Sequence, residues 1–366
     1  MKIVVSKDEI QTKLSNIQSI AEKRNTMPIL SHFLLDASKK GSYITATDLE
    51  TALKEPLDIK VEKEGKICIP ARKMFEIVRE IDGDFVCESI DEQWIKIKAG
   101  ASNFRLACLP SKEFPAWPGM EDMEEIEVNA KILMEMIEKT VYSAGESDTR
   151  YTLNGLLFHL LPGGSITAVG TDGHRLALIV KNIEGSIKSE KKLIVPRKAA
   201  SELVKLLDKT ENNIKVTLCK NHVLFTVGEI QFLTRLVEGT YPNYEQVLPA
   251  GNDKKLTVQK EAFSKALRRV VIMSKDRSHA IKFDLSENLI SITSSNPDIG
   301  EAQDQIIAEY KGESQTFGFN ARYLIDILDA MSTEKITMEM QAPLSPVLIK
   351  EENNEDYRCV IMPMRI

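Results

Sequence analysis

A threefold internal repeat constrains this 366-residue chain more than any other feature of its sequence. The segments ITATDLE (44–50), ITAVGTDGHR (166–175) and ISITSSNPD (290–298) align with one another. In that alignment Asp48, Asp172 and Asn296 follow each other at steps of 124 residues. A long repeat of this kind indicates one structural unit built three times.

Two further landmarks recur in the same order. The segments IPARKMFEIVREI, VPRKAASELVKLL and FNARYLIDILDAM begin at Ile69, Val195 and Phe319. An apolar residue followed by proline then closes each repeat, at 114–115, 241–242 and 362–363. We therefore predict three domains, over 1–121, 126–249 and 253–366, with joints near 120–127 and 250–254.

Each repeat contains two helical patterns separated by strand patterns. Apolar residues at helical spacing, such as Ile10, Leu14 and Ile17, predict six helices in all. They span 7–24, 71–81, 131–140, 197–209, 260–275 and 321–331. Between them the apolar period falls to two, as in 94–98 and 215–218, which predicts strands with one buried face. The expected fold class is α+β, with two helices against antiparallel sheets in each domain.

The composition excludes several classes of protein. Hydrophobic residues make up 43% and charged residues 28%, yet no run approaches the 18 apolar residues of a membrane span. The first residues also lack the apolar core and cleavage site of a signal peptide. Five scattered cysteines without a C-x-x-C pair favour buried free thiols over disulfides or zinc. The expected compartment is the cytoplasm, with no membrane contact.

A catalytic interpretation has little support in the sequence. Asp172 and His174 could serve as an orienting carboxylate and a base, or as metal ligands. However, none of the five histidines is paired at metal-ligand spacing, and no G-x-S-x-G, P-loop or H-E-x-x-H motif is present. We therefore expect no catalytic residues, no metal site and no cofactor.

The charges are distributed unevenly along the chain. The net charge is -6, but the six predicted helices contain 19 basic and 12 acidic residues, which leaves the remainder at -13. If the helices share one surface, that surface is basic and suits nucleic acid. The alternative is that these charges only solvate helix faces.

Helix dimensions relate this basic surface to DNA. Packed helices lie about 8–10 Å apart, so a closed circle of six leaves almost no hole once a helix diameter of about 10 Å is subtracted. Twelve helices, from two copies head to tail, leave a hole of about 28 Å. B-DNA is about 20 Å wide. One chain therefore cannot surround a duplex, whereas two chains can.

Across its whole length the chain resembles the β-subunit family of bacterial DNA polymerase III, the DNA sliding clamps. The resemblance rests on MPIL (27–30), TDLE (47–50), IPARK (69–73), RYTLNG (150–155), TDGHRLA (171–177), VPRK (195–198), YPNYEQVLP (241–249) and MPMRI (362–366). It implies a non-catalytic, ring-shaped head-to-tail homodimer that encircles double-stranded DNA without sequence specificity. The implied partners are the replicative polymerase catalytic subunit, the clamp loader, and other polymerases and repair proteins. The alternative is a repeat-built protein-interaction scaffold that does not encircle DNA.

The resemblance also implies three sets of site residues. Residues expected to face DNA are Arg24, Arg72, Ser147, Arg150, Tyr151, Thr152, Arg197 and Lys198. A partner-peptide pocket is expected from Leu153, Thr171, Gly173, His174, Arg175, Leu176, Pro242, Val247, Val360, Met362, Pro363, Met364 and Arg365, with His174 and Arg175 as polar rim contacts. The subunit interface is expected to use Lys73, Phe104, Leu106, Ile272 and Met273, with Arg72, Lys73 and Arg105 opposite Asp298, Glu301 and Asp304.

Overall fold

A computed structural model describes residues 1–21, 27–183, 187–274 and 279–365 of the chain. Contacts divide the chain into two compact units. Unit 1 comprises Met1–Ala130 and Lys205–Leu236, and unit 2 comprises Lys131–Val204 and Val237–Ile366. The central repeat of the sequence is therefore shared between the two units. None of the helices in the described ranges is long and apolar enough to cross a membrane.

Six α-helices lie in the described part of the chain, where six were predicted. They are α1 (Lys7–Ile20), α2 (Ala71–Glu80), α3 (Ala130–Val141), α4 (Arg197–Leu207), α5 (Lys260–Val270) and α6 (Ala321–Ala330). Two predicted ends are wrong. Helix α1 ends before Ala21, whose backbone is extended, and Arg24 lies outside the described residues. Helix α5 gives way at Val271–Met273 to a single 3-10 turn.

The local sequence explains where these helices begin and which face they bury. The Ser6 hydroxyl accepts a hydrogen bond from the Glu9 N–H and caps α1, which buries Ile10 and Leu14. Pro70 precedes α2, a position where its missing N–H has no consequence. The amide oxygen of Asn320 caps α6 in the same manner as Ser6.

The strands account for most of the remaining chain. The strands before α3 are β1 (Lys2–Val5), β2 (His32–Ala37), β3 (Ser42–Thr47), β4 (Thr51–Leu57), β5 (Lys60–Lys63), β6 (Gly65–Pro70), β7 (Phe85–Ser89), β8 (Trp94–Ala99), β9 (Ser102–Ala107) and β10 (Glu124–Asn129). Those after it are β11 (Gly155–Leu161), β12 (Ser165–Thr171), β13 (Arg175–Asn182), β14 (Lys191–Pro196), β15 (Asn213–Leu218), β16 (His222–Val227), β17 (Ile230–Arg235), β18 (Lys254–Gln259), β19 (Ala280–Ser286), β20 (Leu289–Asn296), β21 (Gly300–Glu309), β22 (Gln315–Asn320), β23 (Lys335–Met340), β24 (Val347–Glu351) and β25 (Tyr357–Ile361).

All pairings between these strands are antiparallel. Unit 1 contains a five-stranded sheet in the order β5-β1-β7-β8-β9 and an eight-stranded sheet in the order β10-β15-β16-β17-β4-β3-β2-β6. Unit 2 contains twelve connected strands in the order β14-β11-β12-β13-β25-β24-β23-β18-β21-β20-β19-β22. The predicted combination of helix pairs and antiparallel sheets is confirmed.

Alternating burial confirms one predicted strand and shows another strand within the segment predicted as a joint. In β8 the side chains of Ile95 and Ile97 are buried while Lys96 and Lys98 are exposed. The same alternation occurs in β10, where Ile126 is buried, so much of the 120–127 segment predicted as a joint is strand. Glu125 and Glu127 of that segment are the exposed positions of this half-buried strand.

Two sheets continue across the boundaries of the sequence repeats. Strand β4 of the first repeat pairs with β17 of the second, and β13 of the second repeat pairs with β25 of the third. In each of these pairs a strand of one repeat meets a strand of the next repeat. The equivalent strands at the two ends of the series are β21 of the third repeat and β9 of the first, and neither has such a partner among the described residues. Within the described ranges β9 pairs only with β8, and the 300–307 part of β21 pairs only with β20. In the part of the chain that the structure describes, β9 and the 300–307 part of β21 are thus the two strand edges that lack this cross-repeat pairing, and we refer to them as the free strand edges.

All five cysteines are buried free thiols, as predicted. Burial raises the pKa of Cys68 and of Cys87 to about 12. Both therefore remain protonated and behave as small apolar side chains.

Candidate functional site

An apolar cluster in unit 2, whose core members are at most 9% exposed, is the candidate binding site by its chemistry, and we refer to it as the cleft. Strand β13 contributes Leu176, Leu178 and Val180 at alternate positions, so all three project from one face. The other members come from neighbouring strands and from the segment after β17: Leu157, Val169, Ile194, Val237, Tyr241, Tyr244, Leu248, Leu348 and Val360. The cleft thus combines aliphatic walls with two tyrosines.

The end of the chain completes this surface. Strand β25 places Val360 opposite Leu176. The Met362 N–H then donates to the His174 carbonyl at 2.9 Å, and the Met364 N–H donates to the Gly318 carbonyl at 2.9 Å. These two bonds fix the backbone of the terminal segment while the Met362 side chain stays 39% exposed.

A buried histidine positions one tyrosine of the cleft. His159 Nδ1 lies 2.8 Å from the Tyr244 hydroxyl, and His159 Nε2 lies 2.9 Å from Glu190 Oε1. The contact with His159, together with Lys192, lowers the pKa of Glu190. Burial raises the pKa of Tyr244, so its hydroxyl remains a neutral hydrogen-bonding group. The hydrogen bonds that link Glu190, His159 and the Tyr244 hydroxyl therefore fix the orientation of the Tyr244 ring.

The residues predicted to form the pocket differ in burial and in whether they belong to the cleft. Leu176 and Val360 belong to the cleft, and Pro242, Val247 and Met362 are exposed near its members in sequence. Leu153 and Thr171 are buried, and the Thr171 hydroxyl donates to the Arg175 carbonyl at 2.6 Å. The prediction missed Leu157, Val169, Leu178, Ile194, Tyr241, Tyr244 and Leu348. The alternation of Leu176 with Leu178 in the sequence was a usable signal for the strand face.

The prediction that the Arg175 side chain lies at the rim is wrong. Arg175 is 9% exposed, and its guanidinium donates to Asp172 at 3.1 Å, Asp326 at 2.6 Å and the Tyr142 carbonyl at 2.7 Å. It also stacks over the Tyr323 ring, 4.3 Å from the centroid. Arg175 therefore links strands and helix α6 instead of offering donors to a ligand, because its charge is balanced internally.

The turn before β13 explains why glycine follows Asp172. The Asp172 carboxylate accepts from the N–H groups of His174 and Arg175, which closes the turn. Gly173 has φ +84°, and a Cβ there would lie 2.8 Å from the Arg150 guanidinium. Both the left-handed backbone and the approach of Arg150 require the absence of a side chain.

The loop that carries several predicted DNA contacts is pinned by ion pairs. Arg150 donates to both Asp148 oxygens, at 3.0 and 2.8 Å, and to the Asp172 carbonyl at 3.0 Å. The hydrogen bonds from Arg150 lower the pKa of Asp148 to about 2, so the pair stays charged near neutral pH. Asn154 bonds the Asp148 backbone in both directions. Tyr151 is left 75% exposed at the loop tip, and Ser147 is also exposed.

The other predicted DNA-facing residues differ in their side-chain exposure and in the ion pairs that they form. Arg197 donates to the Ala144 carbonyl at 2.7 Å and pairs with Glu146 at 2.9 Å, and its side chain is 27% exposed. Arg72 and Lys73 both pair with Glu76 but stay 70% and 65% exposed. Lys198 is exposed and Thr152 is half-buried.

Four of the five predicted interface residues lie on β9 or in the turn that packs against β21, and the fifth, Lys73, lies on α2. Phe104 and Leu106 are half-buried on β9, and Ile272 is 66% exposed in the 3-10 turn that packs against β21. Asp304 was expected to face a second subunit, but it pairs with Arg269 of its own chain at 2.6 Å. That hydrogen bond lowers the pKa of Asp304.

Models of one family match the chain from end to end. Residues 1–118 match the N-terminal domain of the DNA polymerase III beta subunit, residues 127–243 its central domain and residues 245–365 its C-terminal domain. The chain belongs to the DNA polymerase III β-subunit family. Across the residues that the structure describes, no group of three or more histidine, cysteine or carboxylate side chains could hold a metal ion.

Relatives and solved structures agree with the family models. The beta sliding clamps of Pseudomonas putida and Escherichia coli K12 are 33% and 32% identical to this chain over 368 residues, with full coverage of both chains. The crystal structure of the DNA polymerase III subunit beta from Pseudomonas aeruginosa matches with a TM-score of 0.93 at 32% identity and full coverage. A sliding clamp from Bartonella birtlesii, solved bound to griselimycin, matches with a TM-score of 0.95 at 34% identity and full coverage.

Proposed function

We propose that this chain is a DNA sliding clamp that works as a ring of two copies joined head to tail around duplex DNA. Family membership makes it a DNA sliding clamp and a non-catalytic processivity subunit of the polymerase III holoenzyme. The observation that carries the ring is the pair of free strand edges, β9 and β21. We further propose that the functional domains are 1–121, 126–249 and 253–366.

The repeat supplies a register for the missing junction. Thr51 of β4 lies opposite Thr234, and the corresponding Arg175 of β13 lies opposite Ile361. Gly300 is the third member of this series. Like Thr51 and Arg175, it directly precedes the second residue of a hairpin pair, and these pairs are Thr47↔Ala52, Thr171↔Leu176 and Ser295↔Glu301. Leu106 is the counterpart of Thr234, because each lies four residues after the second residue of a hairpin pair, Ala99↔Ser102 and Val227↔Ile230. In the dimer, β21 of one copy would then pair with β9 of the other with Gly300 opposite Leu106.

This register is chemically favourable. It sets Arg105 opposite Glu301 and Phe104 opposite Ala302, so one face carries an ion pair and the other an apolar contact. Ile272, Met273 and the 83% exposed Ile307 add apolar surface beside the β21 edge. Because exposed ion pairs contribute about 0–1 kcal/mol each, the apolar contacts should supply most of the stability. A heterologous interface that closes after two copies gives a ring in which neither β9 nor β21 keeps a free strand edge.

Long basic side chains suit the inner surface of such a ring. Contacts between lysine or arginine and phosphate carry no sequence information, so they allow sliding. We propose Arg24, Arg72, Lys198 and Tyr151 as the principal DNA-facing residues. Ser147, Arg150, Thr152 and Arg197 would contribute secondarily, because Arg150 and Arg197 each donate to a backbone carbonyl as well as to a carboxylate, whereas Arg72 pairs only with Glu76 among the described residues and stays 70% exposed.

Retention on DNA tests the ring. The chain is loaded onto nicked circular DNA by a matching clamp loader, and the circle is then linearised at moderate salt. We expect prompt loss from the linear product, because encirclement is topological. Retention that survives linearisation would indicate ordinary phosphate binding, and absence of loading with a proven loader would favour the scaffold function.

The cleft is proposed as the site where partner proteins insert a short apolar peptide. The candidate partners are the replicative polymerase catalytic subunit, the clamp loader, and other polymerases and repair proteins. Aliphatic walls, two tyrosines and an adaptable methionine at the rim support this assignment. His174 and the 362–365 segment would border the bound peptide.

Met362→Glu should weaken partner binding without opening the ring. A carboxylate at an apolar wall must be desolvated by the ligand, so we expect at least a tenfold higher Kd. The measurement is fluorescence polarisation with the labelled clamp-binding peptide of the cognate polymerase. Met123→Glu, at a 61% exposed methionine outside the cleft, is the control and should bind normally. Equal affinity of the two variants would remove Met362 from the site.

A further inference from the structure

Unit 1 contains a groove of about 450 Å³ that the proposed function leaves without a role. It lies between strands β3 and β4 and the segment FPAWP (114–118). Its lining is Leu34, Asp36, Tyr43, Thr45, Thr47, Leu49, Ala52, Lys54, Phe114, Pro115, Ala116, Trp117, Pro118 and Gln231. The volume is within the range of about 300–1,000 Å³ that is usual for ligand pockets. We refer to it as the FPAWP groove.

Strand registers make this groove the counterpart of the cleft. Leu34 pairs with Thr45 and Cys68 as Leu157 pairs with Val169 and Ile194. In the groove Ala52 lies opposite Leu233, as Leu176 lies opposite Val360 in the cleft. The next strand contributes Leu224 to the groove and Leu348 to the cleft. Trp117 packs on Ala52, Leu224 and Leu233 in the position that Tyr244 takes in the cleft. The same architecture therefore places an aromatic ring against an equivalent apolar cluster in both repeats.

The two sites differ in charge. In the register above, Lys54 replaces Leu178 and Thr45 replaces Val169. The Lys54 ammonium lies 4.3 Å from the Tyr43 ring centroid and pairs with no carboxylate among the described residues. The nearby Asp36 is already neutralised by Lys66 at 2.7 Å. The groove thus offers one uncompensated positive charge beside apolar and aromatic surface.

A strained leucine stands at the mouth of the groove. Leu49 has φ +77° and occupies the turn position that Gly173 fills in the second repeat. For a leucine this backbone costs about 1–2 kcal/mol. Its side chain is nevertheless 53% exposed, so burial within the chain offsets only part of the strain. A bulky apolar side chain held out at a groove rim is what a ligand contact requires.

We infer that the FPAWP groove binds a short peptide segment of a partner protein, one that carries a bulky apolar side chain next to a carboxylate. The apolar side chain packs against Trp117 and Leu49, and the carboxylate pairs with Lys54. The inference relies on the proposed function only in that the cleft, its structural counterpart, is taken as a peptide site. It adds a second docking position, with acidic selectivity, to each copy of the chain.

The tryptophan content allows a direct test. The chain has two tryptophans, so Trp94→Phe leaves Trp117 as the sole reporter. The probes are acetyl-Phe-Asp-Leu-amide and its neutral match acetyl-Phe-Asn-Leu-amide, titrated against the full-length Trp94→Phe protein. We expect a saturable change in Trp117 emission and about threefold tighter binding of the aspartate peptide, the effect of one partly exposed ion pair. No emission change up to 10 mM, or equal affinity for the two peptides, would overturn the inference.

Two substitutions assign the binding to the groove. Lys54→Met should bring the two peptides to equal affinity, because the charge is lost while the length of the side chain is kept. Leu49→Gly should weaken both peptides about fivefold, the loss of a partly buried leucine contact, while the melting temperature stays the same or rises. A Lys54→Met protein that still prefers the aspartate peptide, or a Leu49→Gly protein with native affinity, would contradict the assignment.

The cleft variant keeps the two sites apart. Met362→Glu in the Trp94→Phe background should leave the Trp117 titration unchanged while it weakens the polymerase peptide. Loss of the Trp117 signal in that variant would mean that the probe reports on the cleft, which overturns the second site. A failed titration with normal polymerase-peptide binding removes only the second site, whereas a normal titration with no polymerase-peptide binding removes only the proposed role of the cleft.

Discussion

The Leu106→Lys variant is expected to sediment as a monomer and to be lost from circular DNA. In the proposed register Leu106 is buried against the β21 edge of the second copy. Burying one leucine contributes about 2 kcal/mol, and a two-copy ring contains two such interfaces. The dissociation constant of the dimer should therefore rise about 1,000-fold, before the cost of burying the ammonium is counted. Analytical ultracentrifugation and the retention assay measure both consequences.

Two controls separate interface loss from misfolding. Leu106→Met keeps the apolar volume and should remain dimeric. Met123→Lys makes a comparable change at a 61% exposed methionine away from β9 and should also remain dimeric. A dimeric Leu106→Lys protein with native retention on circular DNA would show that β9 is not the ring junction.

Lys139→Met is expected to cause the largest loss of stability in unit 2. The Lys139 ammonium bonds Glu351 at 2.7 Å, with side-chain exposures of 8% and 3%. It also lies 4.5 Å from the Tyr357 ring centroid. Removing one member of a buried pair leaves the other charge uncompensated, at a cost of about 3–5 kcal/mol. Differential scanning calorimetry should show a drop of about 10 °C in the transition of unit 2.

Two further variants are compared with Lys139→Met: one breaks an ion pair at the surface, and the other also neutralises Glu351. Lys181→Met breaks the more exposed contact with Glu135 and should cost no more than about 1 kcal/mol. Adding Glu351→Gln to Lys139→Met removes the stranded charge and should recover part of the lost stability. Similar melting temperatures for Lys139→Met and Lys181→Met would mean that the buried pair contributes little.

The pH dependence of this pair has a defined sign. Burial acts to raise the pKa of Glu351, but hydrogen bonds from Lys139, the Ser332 N–H and Asn354 outweigh it, so the pKa lies below the ordinary 4.5. The stabilisation is therefore complete above pH 4.5 and is lost as the pH falls through the lowered value. In Lys139→Met the carboxyl loses its counter-charge and protonates more readily. The stability difference between the two proteins should narrow in acid, which thermal melts at a series of pH values can measure.

The repeat, the helices and the type of fold could all be predicted from the amino-acid sequence. Stripes such as Ile10 and Leu14 predict a helix because side chains four residues apart share one helix face. Alternation such as Ile95 and Ile97 predicts a strand for the corresponding reason. These are local properties, set by neighbours within a few residues, and they recur in each repeat. The burial of the five thiols follows equally from the apolar runs around them.

Which repeats share a sheet, and which charged side chains have a partner, became known only from the folded structure. The pairing of β4 with β17 joins residues about 180 positions apart, and no local pattern encodes that register. Arg175 looked like a rim residue in the sequence, yet Asp172, Asp326 and the Tyr142 carbonyl surround it. Nothing in the sequence around Lys54 sets it apart, yet among the described residues it pairs with no carboxylate and lies in a groove beside Tyr43 and Trp117. Partnership between charges depends on distances across the fold, which the order of residues along the chain does not contain.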